Sequence, residues 1–390
     1  MLAQVTIVVE GNKITAVEKG FTKPAKADQL VDLSKKTVMP GLIDMHVHIE
    51  SETSKDALVK RFTQNEADVA FQSTIYARKN LMAGFTTVRD CGGSGVNISL
   101  RNAINQGTIT GPRIFTTGKA IASTGGHGDP TNGSRKDLMG DPGPKEGVIN
   151  GPEDAYKAVR QRYKDGADFI KITATGGVLS VAKDGSGPQF TQEEVNAIVV
   201  AAKDYGFHTA AHAHGAEGMK RAVLAGITTI EHGTLMTEDV MDLMIQKGTY
   251  HVPTIIAGRS AAEYAKIPGY YHPLVVPKAI EIGSRIQENF AKAYKRGVKM
   301  AFGTDAGVFP HGENAREFGY MVEGGMPPIE ALLSAMQNNA DILGMGDKIG
   351  SVEKGKLADI IAVNENPVAN IKTMERVTFV MKDGVIYKNE

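Results

Sequence analysis

The stretch Gly41-Leu-Ile-Asp-Met-His-Val-His-Ile49 decides how this chain is interpreted. It is apolar, contains β-branched residues and follows Pro40, as expected of a buried strand. Side chains at positions i and i+2 of a strand point to the same face, about 7 Å apart, so His46 and His48 project together. Two converging imidazoles can share one divalent cation. Two hydrogen-bonded histidines near a strand end would show the same pattern.

Seven further apolar segments follow this first strand. They are residues 86–90, 113–117, 169–173, 208–214, 228–232, 251–256 and 298–305. Eight strands that alternate with helices predict an α/β fold of the (β/α)8 TIM barrel type. Strands and helices would also alternate in an open doubly wound sheet. We favour the barrel because no Gly-x-Gly-x-x-Gly follows the first strand and because polar residues recur where strands end.

Helix signals occupy the gaps between these segments. Thr191-Gln-Glu-Glu194 is a capping box that opens a helix to about Tyr205. Thr237 begins another helix, which ends at Gly248. Helical apolar spacing also covers residues 277–296 and 327–343.

Both ends of the chain are predicted to be β-structure. Residues 4–18 form a hairpin that turns at Glu10-Gly-Asn-Lys13. The C-terminal strands are residues 358–363, 377–381 and 385–387. We therefore expect a small β-sandwich domain from residues 1–38 and 350–390, with the barrel, residues 39–349, inserted between them.

The charge balance excludes several classes of partner. The 390 residues include 44 basic and 44 acidic side chains, so we expect no nucleic-acid and no anionic-membrane partner. No segment approaches about 18 consecutive apolar residues, and the start lacks a signal peptide, so we expect a cytoplasmic protein, with a trimmed N-terminus left open. Cys91, the only cysteine, excludes an internal disulfide and a cysteine zinc site. We also expect a homo-oligomer, although the sequence carries no signal for the number of subunits.

Metal-capable side chains recur at the carboxyl ends of the predicted strands, the rim where barrel enzymes carry their chemistry. They are His46, His48, Lys171, His212, His232 and Asp305. His214 and, a strand length earlier, His208 share the face of His212 and compete with it. The remaining histidines are interpreted as loop, core or substrate-contacting residues: His127, His251, His272 and His311.

This pattern resembles the amidohydrolase superfamily over nearly the whole chain. The resemblance rests on Pro40-Gly-Leu-Ile-Asp-Met-His-Val-His48, Phe169-Ile-Lys-Ile172, His212-Ala-His-Gly215, Glu231-His-Gly233, Gly303-Thr-Asp-Ala-Gly307 and the segment 339–359. Within the superfamily the chain looks most like the zinc carboxypeptidases and prolidases (Xaa-Pro dipeptidases) of the imidazolonepropionase-related branch. The loop Gly125-Gly-His-Gly-Asp129 and the strand Lys171-Ile-Thr-Ala-Thr-Gly-Gly177 look like that subgroup, and the ochratoxin-hydrolysing amidases are near relatives of it.

The resemblance implies two divalent metal ions, with zinc expected and cobalt, iron or manganese as possible substitutes. Six side chains would hold them: His46, His48 and Asp305 the first ion, His212 and His232 the second, and Lys171 both. Carbon dioxide would carboxylate Lys171, because a carbamate has an oxygen for each metal whereas an ammonium has no lone pair. An ammonium paired with Asp305 and a Schiff-base lysine are the rivals, but both leave four rim histidines unexplained.

Two residues are candidates for the chemistry. Two cations that share a solvent molecule lower its pKa to near 7, so we expect a metal-bridging hydroxide to attack an amide carbonyl. Asp305 would accept its proton and pass it to the leaving amine. His127 would donate to the carbonyl oxygen or to a substrate carboxylate, and a loop histidine that shapes a turn is the alternative.

The leading functional hypothesis is a carboxypeptidase or dipeptidase that releases the C-terminal amino acid from dipeptides or N-acyl amino acids. Hydrolysis of a cyclic amide such as an imidazolone, or of an aryl amide such as ochratoxin, is the alternative. A deaminase fits less well, because such enzymes of this superfamily usually use one metal and lack the strand-four lysine, here Lys171. A catalytically silent relative would typically have lost some of the ligands.

The substrate pocket is expected to form from the loops at residues 120–150, 178–190, 257–275 and 306–316. Polar side chains available there are Asp129, Arg259, Tyr264, Tyr270, Tyr271 and His272. Arg259 or a tyrosine could bind a substrate carboxylate, and a surface role is the alternative for each.

Overall fold

The structure is a computed structural model that describes residues 4–26, 29–183 and 185–390. Residues 1–3 of the predicted small domain lie outside the described residues. So do residues 27–28 of the predicted small domain and residue 184 of a predicted pocket loop.

The described chain alternates strands and helices through most of its length. The strands are β1 Val5–Glu10, β2 Lys13–Lys19, β3 Thr37–Pro40, β4 Leu42–Val47, β5 Phe85–Asp90, β6 Arg113–Thr116, β7 Ala122–Ser123, β8 Val148–Ile149, β9 Ile170–Thr173, β10 Thr209–Gly215, β11 Thr229–Leu235, β12 Tyr250–Val252, β13 Ile360–Val363, β14 Phe379–Lys382 and β15 Val385–Asn389. The α-helices are α1 Ala57–Thr63, α2 Glu66–Met82, α3 Val96–Asn105, α4 Lys136–Met139, α5 Pro152–Asp165, α6 Gln192–Asp204, α7 Ala216–Ala225, α8 Glu238–Lys247, α9 Ile255–Ala265, α10 Val276–Arg296, α11 Arg316–Glu323, α12 Pro328–Leu333 and α13 Asn339–Ile342.

The central strands close into the predicted barrel. Strands β4, β5 and β6 form one parallel sheet, and β9, β10, β11 and β12 form another. The Asp168 N–H donates to the Thr116 carbonyl at 2.8 Å and joins the two sheets. On the other side, isolated parallel bridges connect β12 to Met300 and β4 to Ala306. The predicted eighth strand, residues 298–305, therefore closes the barrel as an irregular segment rather than as a regular strand.

The barrel strands are buried because helices cover the outside and side chains fill the inside. Every residue of β4, β5, β9 and β10 is buried. The polar side chains of these strands are therefore buried too, which makes them candidates for a structural or chemical role. The predicted helices at Thr191, Thr237 and residues 277–296 are confirmed as α6, α8 and α10. The helix predicted at 327–343 includes a π-helical turn, Ser334–Asn338.

The seventh predicted strand, residues 251–256, is too long. Strand β12 ends at Val252, and Ile255 already begins α9. Thr254 has a left-handed backbone with φ of 49°, which turns the chain from strand to helix. The buried Glu317 carboxylate then accepts the N–H groups of Ile255 and Ile256 at 2.8 and 2.7 Å. Glu317 belongs to α11, which is distant in the sequence, so the local pattern of β-branched residues could not reveal that it ends the strand here.

Replacing Glu317 with alanine should lower the free energy of unfolding by about 3 kcal/mol, because it leaves two buried N–H donors without an acceptor. Urea unfolding would measure this difference. Glu323→Ala on the same helix is the matched control, since its exposed ion pair with Arg259 should be worth less than about 1 kcal/mol. Equal effects of the two substitutions would contradict the capping role of Glu317.

The two ends of the chain form the small β-structure. Strands β1 and β2 pair as the predicted hairpin, and a second sheet has the order β15-β14-β13-β3. An apolar cluster that includes Ile14, Ile360 and Phe379 joins the two sheets. Arg113 of β6 links this domain to the barrel through Asp359 and Asp383, at 2.7 and 2.6 Å. The predicted domain boundaries stay a prediction.

None of the helices in the described part of the chain is both long and apolar enough to cross a lipid bilayer.

Candidate metal centre

A cavity of about 1040 Å³ opens at the carboxyl ends of the barrel strands. All six side chains predicted as metal ligands line it: His46, His48, Lys171, His212, His232 and Asp305. His127 and His214 line it as well. The structure therefore brings together residues that are up to 259 positions apart in the sequence, as the barrel prediction requires.

His46, His48 and Asp305 are the most tightly grouped of these residues. Asp305 Oδ1 lies 3.5 Å from Nε2 of His46 and 3.3 Å from Nε2 of His48. This oxygen is buried and has no hydrogen-bond partner among the described residues. One nitrogen each of His46 and His232 and one oxygen of Asp305 lie within 4.8 Å of one another. Burial raises the pKa of Asp305 to about 6 and lowers that of His46 well below its usual value.

Hydrogen bonds made by Nδ1 of His46 and of His48 determine that Nε2 is the nitrogen that faces Asp305 in each ring. Nδ1 of His46 donates to the Glu231 carboxylate at 2.7 Å, and Nδ1 of His48 donates to the Gly92 carbonyl at 2.8 Å. Both acceptors lack a proton to give, so each Nδ1 carries the hydrogen. Nε2 is thus the nitrogen that each ring turns toward the Asp305 carboxylate, and it offers a lone pair there when the ring carries its single hydrogen on Nδ1.

This arrangement fits a cation. Two imidazole lone pairs and a carboxylate oxygen are all acceptors, so they repel one another unless a positive charge lies between them. Nitrogen and oxygen ligands of this kind, with each imidazole held from behind by a hydrogen bond, are those that transition metals prefer.

The second group lies beside the first. The His232 ring centroid is 5.0 Å from that of His46 and 4.6 Å from that of His212. Nδ1 of His232 is hydrogen-bonded to the Thr254 hydroxyl at 2.7 Å. The carbonyl of Gly176 lies 3.2 Å from Nε2 of His212, which leaves Nδ1 of that ring with the lone pair.

Lys171 lies beside the first group. Its Nζ is 3.5 Å from Nε2 of His46. Among the ion pairs of the described residues, none joins Lys171 to Asp305, so the structure lacks the pairing that the ammonium alternative requires. The side chain is almost completely buried, at 3% exposure.

A buried ion pair that the sequence analysis missed supports His46 from behind. Arg89 and Glu231 are both fully buried, and Nη2 of Arg89 donates to Glu231 Oε1 at 2.7 Å. The other oxygen of Glu231 accepts from His46, while Nε of Arg89 donates to the Met45 carbonyl. A charged residue within each of two predicted barrel strands was the available signal, but it gave no indication that the two side chains meet.

Replacing Glu231 with glutamine should both destabilise the fold and weaken metal binding. The buried Arg89 guanidinium would lose its counter-charge, which should lower the free energy of unfolding by about 3 kcal/mol. Loss of the charged acceptor behind His46 should reduce zinc affinity at least tenfold, because residues that hydrogen-bond a metal ligand typically contribute about 10- to 100-fold.

Urea unfolding and competition with a zinc chelator would measure the two effects. The matched control is Glu217→Gln, which removes an exposed ion pair with Arg221 and should change neither quantity by much. Wild-type zinc affinity in the Glu231→Gln protein would contradict the supporting role.

Backbone strain also concentrates at this site. Five non-glycine residues in the described chain have positive φ, and three of them are His232, Thr254 and Asp305, with φ of 69°, 49° and 62°. Such conformations cost about 1–3 kcal/mol each and persist where the surrounding structure imposes them, often at functional sites.

His127 lies against the centre rather than at its middle. Its ring stacks on that of His212 at a centroid distance of 4.3 Å. Its backbone N–H donates to the side-chain oxygen of Gln189 at 2.8 Å. The ring covers Gly177, where any side chain would collide with it. Its Nδ1 is buried without a partner among the described residues, and burial lowers its pKa to about 3, so the ring is neutral.

The other histidines differ in whether they lie at the cavity or in the core. His208 stacks on Phe169 and does not line the cavity, so it no longer competes with His212. His251 binds the His232 carbonyl from the core, and His311 bridges Asn80 and the Ser51 carbonyl. His214 remains beside His212, with Nδ1 hydrogen-bonded to the Thr234 hydroxyl at 3.0 Å.

The predicted pocket loops are confirmed in part. Tyr270, Tyr271 and His272 line the cavity, whereas Asp129, Arg259 and Tyr264 do not. Arg259 binds Glu323 and lies over the Tyr320 ring, and the carboxylate of Asp129 holds its own loop. The segment after β4, which includes residues 51–58, also lines the cavity and was missed. It follows His48 directly, so its place at the rim could have been inferred.

The sequence and the fold both match known proteins. The sequence model of the amidohydrolase family matches residues 37–387. Ochratoxinase from Aspergillus niger is 33% identical over 375 residues, which cover 90% of this chain and 75% of that protein.

Two solved structures are similar over almost their full length. A Xaa-Pro dipeptidase with methionine bound in its active site is 54% identical, with a TM-score of 0.96, and the match covers 99% of this chain and 95% of that one. A prolidase complexed with N-methylphosphonate-L-proline is 33% identical, with a TM-score of 0.88 and coverage of 98% and 94%.

Proposed function

The chain belongs to the amidohydrolase family of metal-dependent hydrolases that act on carbon–nitrogen bonds, and on this premise we propose that it is a dipeptidase. It would release the C-terminal amino acid from dipeptides or N-acyl amino acids. The observation that carries this proposal is the meeting of Nε2 of His46 and of His48 with an Asp305 oxygen that has no hydrogen-bond partner among the described residues, inside a cavity that could accommodate a small peptide.

Two divalent ions, most simply zinc, would occupy the centre. We assign the ligands as predicted: His46, His48 and Asp305 for one ion, His212 and His232 for the other, and carboxylated Lys171 for both. The position of Lys171 next to His46 supports the bridging role. So does the fact that, among the described residues, the Lys171 amine forms no ion pair with Asp305. His214 is left outside the set because its same-face neighbour His212 contacts both His127 and His232.

Bound ions of this type supply a Lewis acid for the amide carbonyl and lower the pKa of water. The side chains of the protein would direct the protons. Asp305 Oδ1 accepts no hydrogen bond from the described residues. This oxygen would take the proton of the attacking water and deliver it to the leaving nitrogen. The neutral His127 ring would donate a hydrogen bond to the carbonyl oxygen or to a substrate carboxylate.

The names of the similar proteins favour peptides over other amides. The structure with the highest identity reported above is that of a Xaa-Pro dipeptidase, and a prolidase follows. The similarity to ochratoxinase supports the second candidate function, hydrolysis of an aryl amide. The homo-oligomeric state and the cytoplasmic location expected from the sequence stay predictions.

A hydrolysis screen tests the proposal. Protein loaded with zinc and bicarbonate would be given dipeptides, including Xaa-Pro, and N-acyl amino acids, with a chelator-stripped sample as the control. We expect metal-dependent release of C-terminal amino acids. No release from a protein that binds two metals would contradict the dipeptidase proposal, and cleavage of an ochratoxin-type amide in the same assay would then support the second candidate.

A further inference from the structure

One side of the cavity is apolar. Side chains from four separate segments meet there, and we call this surface the apolar wall: Val178, Ala261, Ala279, Ile282 and Val308. They come from the loop after β9, from α9, from α10 and from the segment that follows Asp305. The members from α9 and from the first turn of α10 are alanines, and small side chains leave space in front of the wall.

Charged side chains line other parts of the cavity. Among the described lining residues they are Glu52, Lys55, Glu66, Lys119, Glu146, Lys171 and Asp305. Lys278 precedes Ala279 on α10, and its ammonium donates to the carbonyls of Gly177, Ser180 and Ala182 at 2.8–2.9 Å. These bonds use all three ammonium hydrogens, so Lys278 holds the loop of Val178 in place and is not available to pair with a substrate charge.

Three of the four segments of the wall are linked to residues of the metal centre. The Val308 N–H donates to the Asp305 carbonyl at 3.1 Å. Helix α9 starts directly after Thr254, which is hydrogen-bonded to His232. Val178 follows Gly177, on which the His127 ring lies. The wall therefore begins next to Asp305, at Val308, and next to the glycine that the His127 ring covers, at Val178.

We propose that the apolar wall binds an uncharged, aliphatic side chain of the substrate next to the cleaved bond. The enzyme would then favour peptides with side chains such as those of leucine, methionine or valine over peptides with lysine or glutamate at that position. Moving apolar surface out of water is favourable, whereas a charge buried against the wall would meet no charged partner among the side chains that form it. This inference rests on the proposed function, because it names the substrate class of the same site.

The first test compares kcat/KM for dipeptides that differ at one position. Leucine, lysine, glutamate and glycine would be placed in turn at the N-terminal and at the C-terminal position, with alanine as the other residue. We expect leucine to exceed lysine and glutamate by about 100-fold at one of the two positions, in the range by which apolar pockets discriminate. Equal rates, or a preference for a charged residue at both positions, would overturn the proposal.

Two variants at Ala261 sharpen this test. Ala261→Leu fills the space in front of the wall and should raise KM for the leucine peptide about tenfold more than KM for the glycine peptide. Ala261→Asp places a carboxylate there and should shift the preference toward lysine by at least about tenfold. The matched control is Ala67→Asp at an exposed position of α2, which should change neither preference. An Ala261→Leu protein with unchanged KM for both peptides would contradict the role of the wall.

Binding without turnover separates the two proposals. Free leucine, lysine, glutamate and glycine would be added to the metal-loaded protein at equal concentration, and the shift in Tm would be measured. If no peptide is cleaved but leucine alone raises Tm, and Ala261→Leu abolishes the shift, the dipeptidase proposal fails and the wall is supported. If peptides are cleaved without any preference and no amino acid is distinguished, the dipeptidase proposal stands and the wall is overturned.

Discussion

Replacing Lys171 with alanine should remove most of the activity and at least one metal ion. In our proposal the carbamate of Lys171 is a ligand of both ions, so its loss leaves each ion one ligand short. A bound metal stabilises the transition state by several kcal/mol, and each 1.4 kcal/mol is a factor of ten in rate. We therefore expect kcat/KM to fall by at least about 10³-fold, together with a metal content below two ions per chain.

Metal analysis and dipeptide hydrolysis would be measured on the same Lys171→Ala preparation, with and without added short carboxylates such as acetate or propionate. Partial recovery by such a carboxylate would support the bridging role, because it could replace the missing negative group. The control is Lys356→Ala, which removes another buried lysine that binds the Ile349 carbonyl outside the site. Two metals and wild-type activity in Lys171→Ala would contradict the carbamate bridge.

Replacing Asp305 with asparagine should separate metal binding from proton transfer. The substitution keeps the shape of the side chain but removes its charge and its ability to carry a proton. We expect some metal to remain, because His46 and His48 still present their lone pairs, while kcat falls by about 10³-fold, within the usual range for a lost general acid–base group.

The measurement is kcat and KM for one dipeptide, with metal content determined in parallel. Asp242→Asn on the surface of α8 is the control for the same change at an exposed site, and it should leave both quantities unchanged. A nearly wild-type kcat in metal-loaded Asp305→Asn would contradict the proton-transfer role.

The residues at the strand ends were predictable because their signal is local and periodic. Two histidines at i and i+2 in an apolar strand must share a face, and a parallel barrel places the carboxyl ends of all its strands on one rim. The same reasoning correctly placed Lys171 and Asp305 at the cavity from strands four and eight. Capping residues such as Thr191 fixed a helix start for an equally local reason.

Features that depend on distant contacts were not predictable. Arg89 and Glu231 are separated by 142 positions, so the sequence could not show that they pair behind His46. Strand β12 is short because Glu317, about 60 positions away, caps the helix that replaces its predicted end. Arg259 looked suitable for a substrate carboxylate by its place in the chain, yet it faces Glu323 outside the cavity.

The most direct test of the account is a titration of chelator-stripped protein with zinc in the presence of bicarbonate, with dipeptide hydrolysis measured at each step. The account predicts that activity reaches its maximum at two zinc ions per chain and depends on bicarbonate, because both ions and the carbamate are required. Full activity of the stripped protein, or a maximum at one zinc ion per chain, would contradict it.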